Sequence, residues 1–391
     1  MSPRVRVGLI GAGMIAQAAH LPNLAALPDR FEVVALADPS ETVRAVVAAR
    51  HHVPDGYADW REMIDRHELD AVLICAPHAV HVEATLAALE AGLHVFVEKP
   101  LCIDPADADR IIAARERHGR VVQVGYMKRF DPAYERMAEE LPANAGELCF
   151  VDVIAHDPIL NKPSLFCSDE IVVGEDVPVE VRREGERSLR AQLLAAVGSD
   201  DLAEVGPFAT VYLDALIHDV NLVNGLLERM GEPLPAAIES TSWWGSGAGA
   251  TIAFTLANGA RWNCTFLWLP GLQSFREHVA LYFRDSVRTL TFAAPYLHKH
   301  PTIYEVDGAD GEARQRSVFT SHRGSYRGEL EHFYDCIVSG ANCRTPAELG
   351  RADVMLLRDA FLWGLPDGSD LRVPMPEVSQ ERAEELPRVS S

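Results

Sequence analysis

The chain has 391 residues, 48% of them hydrophobic, enough to bury a sizeable core but too many for one compact doubly wound domain, so two domains are expected. A formal net charge of -21 would repel phosphate backbones and anionic lipid surfaces, which argues against nucleic acid and membranes as partners and favours a small neutral or cationic substrate. Seven scattered cysteines without a C-x-x-C pair suit reduced structural thiols; no stretch reaches transmembrane length, and the first strand follows Met-Ser-Pro-Arg too closely to leave room for a signal segment, so a cytoplasmic protein is expected.

Val5 to Ala16 reads as strand, tight turn and helix start. Gly11, Gly13 and Ala16 stand at the G-x-G-x-x-G/A spacing. There the first glycine permits the turn, the second lets a pyrophosphate approach the backbone, and the small third residue allows close helix-strand packing. Apolar strands at Phe31 to Asp38, Ala71 to Cys75, His94 to Glu98 and Val121 to Val124 alternate with helical stretches, the signature of a parallel sheet. Asp104-Pro105-Ala106-Asp107 marks a helix start by its capping side chain, first-turn proline and early acid. Asp38 ends the second strand, where a carboxylate can accept hydrogen bonds from the adenosine ribose or simply shape the turn before Pro39. Residues 1–124 are therefore expected to form a doubly wound Rossmann domain that binds a dinucleotide. The charge of Asp38 predicts NAD rather than NADP, with Arg44 as the counter-argument. His78 and His81 lack an obvious third ligand, and His298 and His300 suit a strand end at the surface, so no metal is predicted.

The fourth strand ends in Val-Phe-Val-Glu98-Lys99-Pro100-Leu101. Together with Gly-Ala-Gly-Met-Ile-Ala, His20-Leu21-Pro22, Asp38, the Pro77 to His81 turn and Gly125-Tyr-Met-Lys-Arg129-Phe-Asp-Pro132, this stretch resembles the glucose-fructose oxidoreductase, inositol dehydrogenase and rhizopine-catabolism (Gfo/Idh/MocA) family, and the similarity runs over nearly the whole chain. The resemblance implies that Gly11, Gly13, Met14, Ile15, Asp38, Ala76, Pro77, His81, Glu98 and Lys99 follow the cofactor, and that the Lys99-Pro100 peptide is cis. Physically, an ammonium just past a strand end can hydrogen-bond a substrate hydroxyl and steady a developing alkoxide, which makes Lys99 a catalytic candidate. The bland alternative is a solvated lysine.

From Gly125 to about residue 375 the periodicity changes to two. Trp262, Cys264, Phe266 and Trp268 alternate with Arg261, Asn263, Thr265 and Leu267, and Asn258-Gly259 joins this strand to Thr251 to Leu256 as a hairpin. Further strands are expected near Leu148 to His156, Val279 to Phe283 and Arg288 to Phe292, giving an α+β domain with a large, mainly antiparallel open sheet. By the resemblance, one face covers the cofactor domain and the other packs against a neighbouring subunit, as a homodimer or homotetramer. A helix over Val211 to Met230 carries an apolar stripe and, opposite it, Asp214, His218, Asn221 and Gly225. Such a strip lacks the Lys, Glu and Arg of a solvated face, and its Asp-x-x-x-His spacing resembles the family's catalytic pair. His218 is the candidate general acid-base, Asp214 its partner, and Asp219 is expected in structural pairing. Tyr126, Arg129 and Asn221 are candidate substrate ligands, with simple packing as the alternative for Tyr126, and with cofactor binding or, equally, an inter-domain salt bridge as alternatives for Arg129. Gly206-Pro207-Phe208-Ala209-Thr210 replaces the family's glycine-rich approach to this helix. The segment 157–205 is longer than usual, with a loop Asn161 to Phe166 and a helix Arg187 to Val197, and reads as a lid, a pocket wall or an inert excursion. Tyr326 to Val338 and Pro346 to Leu362 read as helices returning to the cofactor domain; a polar tail occupies 376–391.

The expected protein is an NAD-dependent oxidoreductase acting on a secondary alcohol or ketone of a sugar, sugar derivative or cyclitol. The alternatives are a redox-neutral enzyme with tightly held NAD acting on a glycoside and a non-catalytic sensor of NAD or sugar.

Overall fold

The computed structural model describes residues 3–365 apart from 67, 159–170, 233–234, 236, 245–246, 273, 298–299 and 311. The loop Asn161 to Phe166, His298 and the polar tail therefore lie outside the described residues. Runs of Val, Ile, Leu and Ala build β1 (Val5–Ile10), β2 (Phe31–Ala37), β3 (Asp55–Tyr57), β4 (Ala71–Ile74), β5 (His94–Glu98) and β6 (Val122–Gly125). They form a parallel sheet in the order β3-β2-β1-β4-β5-β6. Its central strands are buried on both faces, which is why they read as continuous apolar runs and not as alternation. Strand order reverses between β1 and β4, so their carboxyl ends frame the crevice where ligands of such sheets bind.

Helices α1 (Leu21–Ala25), α2 (Glu41–His51), α3 (Trp60–Arg66), α4 (His78–Glu90) and α5 (Pro105–His118) cross over between the strands. Asp104 caps α5 as expected, its carboxylate accepting from Ala106 N at 3.0 Å. The turn after Gly13 differs from the regular helix expected: Ala16–His20 is a π-helical turn ahead of α1. Pro22 has no N–H to give and its ring crowds the carbonyl four residues back, which a wider turn relieves.

Beyond a short 3-10 turn at Met127–Phe130 come α6 (Pro132–Glu140), β7 (Leu148–Asp157), α7 (Val179–Val197), α8 (Leu202–Pro207) and α9 (Ile217–Arg229). The second sheet adds β8 (Ala237–Trp244), β9 (Gly249–Thr255), β10 (Arg261–Trp268), β11 (Arg276–Phe283), β12 (Ser286–Phe292), β13 (Ile303–Asp310) and β14 (Ala313–Thr320). Its order is β14-β13-β12-β11-β7-β10-β9-β8, antiparallel except where β10 runs parallel to β7. Gly259, at a φ of 87°, makes the predicted hairpin turn, and Trp262, Cys264 and Phe266 point inward while Arg261 and Asn263 are exposed. Strands β13 and β14 escape an apolar-alternation reading because β14 is almost wholly exposed; Arg314 pairs with Asp307 and Arg316 with Glu305 across the hairpin.

α10 (Ser325–Ser339) and α11 (Ala347–Trp363) return to the first sheet as read. Leu330 and Phe333 join Leu9 and Phe96 in one core, and α11 lies along α5, with Arg351 on Asp109 at 2.6 Å. The first domain is thus completed by the end of the described chain. Helix α7 starts at Val179, earlier than read, after Pro178. It packs on α4, Gln192 Nε2 donating to the Ala79 carbonyl at 2.9 Å.

Phe361 of α11 stacks on Trp243 of β8 at 4.7 Å between ring centroids and meets Phe208 and Tyr212, so one aromatic cluster ties α11, the second sheet and the approach to α9 together. Replacing Phe361 by Ala should cost about 3–5 kcal/mol in urea unfolding, as for other large buried rings. A loss below about 1 kcal/mol would show that the cluster does not hold these elements.

Candidate active site

A cavity of about 290 Å³ lies at the carboxyl edge of the first sheet, between the turn after β1 and the inner face of the second sheet. The expected positions Met14, Ile15, Ala76, His81, Glu98 and Lys99 line it from the first domain, and Asp214 and His218 line it from the second. The Lys99-Pro100 peptide is cis. His81 is fully buried with its ring between two carbonyls, Pro100 O at 2.7 Å and Ala76 O at 2.8 Å, and so fastens the Glu-Lys-Pro turn to the end of β4.

Lys99 Nζ donates to the Asp214 carbonyl at 2.7 Å and to Asp214 Oδ1 at 2.9 Å. Asp214 sits in a second π-helical segment, Phe208–Leu216, where an ordinary helix was expected; the wide turn leaves its carbonyl within reach of the ammonium. Burial works against the Asp214 charge, yet Lys99, helped by His78, holds the carboxyl below its usual range. Burial, then Lys99 and Lys128, keeps His218 well below the ordinary imidazole value, and its Nδ1 is buried without a partner among the described residues. The ring is therefore neutral at pH 7 and able to take a proton. His78 reaches Asp214 at 3.8 Å, and burial together with His81 pushes it down to about 3.

Lys128, Asp219 and Glu277 form a second charged group on the cavity wall that the sequence reading missed. Lys128 Nζ lies 2.9 Å from Asp219 Oδ1 and in closer contact with Glu277, with all three buried. Burial, reinforced by Asp219 and opposed by Lys128, pushes Glu277 up to about 8. Asp219 pairs as expected, but it also faces the cavity. The signal for Glu277 was present: it shares the inward parity of Val279, Leu281 and Phe283 on β11. Behind Lys99, the Glu98 carboxylate meets His20 Nε2 at 2.6 Å and accepts the Lys99 N–H at 3.2 Å, while burial and the Glu98 charge push Glu329 well above its usual value.

Three positions expected to touch substrate do not line the cavity. Arg129 points into the interior, its guanidinium donating to the Asn221 carbonyl at 2.9 Å and to Asn221 Oδ1 at 3.0 Å. Asn221 donates in turn to Asp353 at 2.7 Å, and Tyr126 is fully buried beside that carboxylate. Gly225 makes room for this network, since a Cβ there would stand 2.3 Å from the Tyr134 hydroxyl. The wider turn before α9 shifts its phase, so the predicted strip splits: Asp214 and His218 face the cavity, and Asn221 faces α11. Of the three readings of 157–205, the described residues bear on part only. Among the described residues of this segment only Asp157 lines the cavity, because α7 is held against α4.

The residues present fit a dinucleotide. Gly11, at a φ of 84°, approaches β4 so closely that a Cβ would lie 2.8 Å from the Ala76 backbone, while beyond Gly13 there is open space. Asp38 accepts from Ala12 N at 3.0 Å and Ser40 N at 2.9 Å, so it shapes both the glycine turn and its own. As for metals, His20, Glu98 and Glu329, and His332, Cys336 and Cys343, bring ligand atoms within 4.8 Å of one another. In each triad the histidine Nε2 is already engaged, His332 by the Arg344 N–H at 3.0 Å. No described helix is long and apolar enough to cross a membrane.

Sheet order, glycine turn and the acid after β2 together are those of a doubly wound Rossmann domain. Residues 5–126 match the model of the Gfo/Idh/MocA oxidoreductase family, NAD-binding Rossmann fold. Inositol 2-dehydrogenase 3 of Saccharopolyspora erythraea is 41% identical over 144 residues, which cover 36% of this chain and 41% of that one. The chain matches between 40% and 44% of the length of such curated relatives. Two solved structures share the fold across both domains. UDP-N-acetylglucosamine 3-dehydrogenase of Acidithiobacillus ferrooxidans has a TM-score of 0.68 at 18% identity, covering 93% of this chain and 98% of that one. The 3-ketoreductase KijD10 of Actinomadura kijaniata, in complex with NADP and TDP-benzene, has a TM-score of 0.70 at 18% identity with the same coverage.

Replacing Lys128 by Met leaves the buried Asp219 carboxylate without its cation and should cost about 3–5 kcal/mol at pH 7. Without the ammonium the folded variant binds a proton there more readily than the unfolded chain, so the loss should shrink as pH falls from 7 to 5. Chemical denaturation at both pH values checks this; a loss that grows on acidification contradicts it.

Proposed function

We propose that the chain is an NAD-dependent oxidoreductase acting on a secondary alcohol, or the corresponding ketone, of a sugar, sugar derivative or cyclitol. The observation that carries this reading is the Lys99 ammonium, fixed by Asp214 at a cavity that also holds a neutral His218. NAD, held along Gly11, Gly13 and Asp38, supplies the hydride acceptor. Lys99 donates a hydrogen bond to the substrate oxygen and steadies negative charge on it as the alcohol is oxidised. His218 accepts the hydroxyl proton, and in the reverse direction returns it to the ketone oxygen. Asp214 keeps Lys99 aimed. The polar wall of Asp219, Lys128 and Glu277 suits a substrate with several hydroxyls, and the names of the relatives, an inositol dehydrogenase and a nucleotide-sugar dehydrogenase, point the same way. NAD is preferred to NADP in this reading because Asp38 places a carboxylate at the ribose end.

Replacing Lys99 by Met should remove most turnover, about a hundredfold or more in kcat, while leaving NADH binding nearly intact. A screen of inositols, sugars, aminosugars and sugar nucleotides for NADH formation provides the assay, with this variant as the blank; retention of half the wild-type kcat sinks the assignment. In the same assay, kcat/KM for oxidation should stay level from pH 8 down past the ordinary imidazole value of about 6.5, and fall only below it as His218 takes a proton. An acid limb centred above pH 7 that survives in His218→Asn would remove His218 from the role.

A further inference from the structure

The described residues just ahead of α7 run over the adenosine end of the first sheet. Val172 pairs twice with Gln17: its N–H donates to Oε1 at 2.9 Å and its carbonyl accepts from Nε2 at 2.9 Å. Gln17 Nε2 also reaches the Ala12 carbonyl of the glycine turn at 2.8 Å. Gly174 passes so close to α2 that a Cβ on it would stand 2.6 Å from Ser40 Cβ. Asp176 then takes the start of α2. One carboxylate oxygen accepts from the Ser40 hydroxyl; the other accepts from Thr42 N–H at 3.0 Å and from the Thr42 hydroxyl at 3.1 Å.

A serine hydroxyl, a threonine hydroxyl and a first-turn N–H at the positive end of a helix, directly after the strand that ends in Asp38, are the donors a phosphate on the adenosine ribose would use. We propose that Asp176 sets cofactor choice: it fills this anion position with the chain's own carboxylate and so excludes a 2′-phosphorylated dinucleotide. The inference rests on the NAD reading above and names the residue from outside the Rossmann sheet that enforces it. Ser40 links the two acids, giving its N–H to Asp38 and its hydroxyl to Asp176, so a 2′-phosphate would face both carboxylates. Arg44, the cation best placed to welcome a phosphate, spends its Nη1 on the Asp38 carbonyl at 2.6 Å. The hydrogen bonds from Ser40 and Thr42 hold Asp176 at about 2, so it is fully ionised at neutral pH. Asp176 is exposed, and its replacement opens no core.

Dissociation constants for NADH and NADPH, read on the full chain from energy transfer between tryptophan and the reduced nicotinamide, test the proposal without turnover. The wild type should bind NADH more than about thirtyfold tighter than NADPH, Asp176→Ala should tighten NADPH by about tenfold or more, and NADH should move less than about threefold. Asp176→Asn, which keeps the shape and removes the charge, should move NADPH in the same direction. Intact NADH binding with an unchanged NADPH to NADH ratio in both variants overturns the proposal, as does a wild type that binds the two equally. A wild type that binds neither overturns the cofactor reading beneath it.

Discussion

Two hydrogen bonds from one ammonium set the arrangement of the site. Lys99 belongs to the edge of the first sheet and Asp214 to the helical segment that carries the second domain's polar face, and the 2.7 and 2.9 Å contacts between them fix that segment's height and phase relative to the sheet edge. Charge-assisted bonds of this kind are strong and directional. One turn further on, His218 is brought to the same cavity, and the residues beyond it rotate toward α11 instead. The π-helical widening at Phe208–Leu216 is the local adjustment that makes the two-point contact possible.

Around this pair several charged side chains are buried against polar or charged partners. Lys128 is held between Asp219 and Glu277, Arg129 is consumed by Asn221 and supported by Asp353, and Glu98 is shared between His20 and the Lys99 backbone. Buried ion pairs contribute little net stability, because desolvation offsets their attraction, but leaving one member alone is expensive. Their effect here is directional. The cation at 128 and the cation at 99 are each locked in one orientation, which gives the cavity two fixed donor poles. These poles support the polyhydroxyl substrate proposed above.

Much of this was legible in the chain itself. The glycine turn, the strand-helix alternation, the Asn258-Gly259 hairpin and the capped start of α5 all depend on neighbours within a few residues, and all form where the local signals place them. Lys99, Asp214 and His218 converge because strand ends and helix faces are periodic features. What was not legible depends on partners distant in sequence. Arg129 and Asn221 carry polar atoms that a cavity would welcome equally, and only the presence of Asp353, more than a hundred residues on, decides that they face the interior. Lys128 and Arg129 are adjacent cations on a 3-10 turn, and nothing local says which faces the site. The π-helical segment at Phe208–Leu216 shifts the phase of α9 by a fraction of a turn relative to Asp214, enough to keep His218 with Asp214 and turn Asn221 away on what reads as one face.

The return of α10 and α11 to the first sheet also constrains how the protein can be made. Leu330 and Phe333 sit in the same core as Leu9 and Phe96, and a bridge joins Gln123 to Pro346, so the first domain's packing closes only when residues more than two hundred positions later arrive. A chain emerging from the ribosome therefore presents a Rossmann sheet with one flank open while the entire second sheet is still being synthesised. Contacts of such long sequence separation slow folding and leave apolar surface uncovered for longer. The two sheets are separate in space but not in time: the first to be started is the last to be finished.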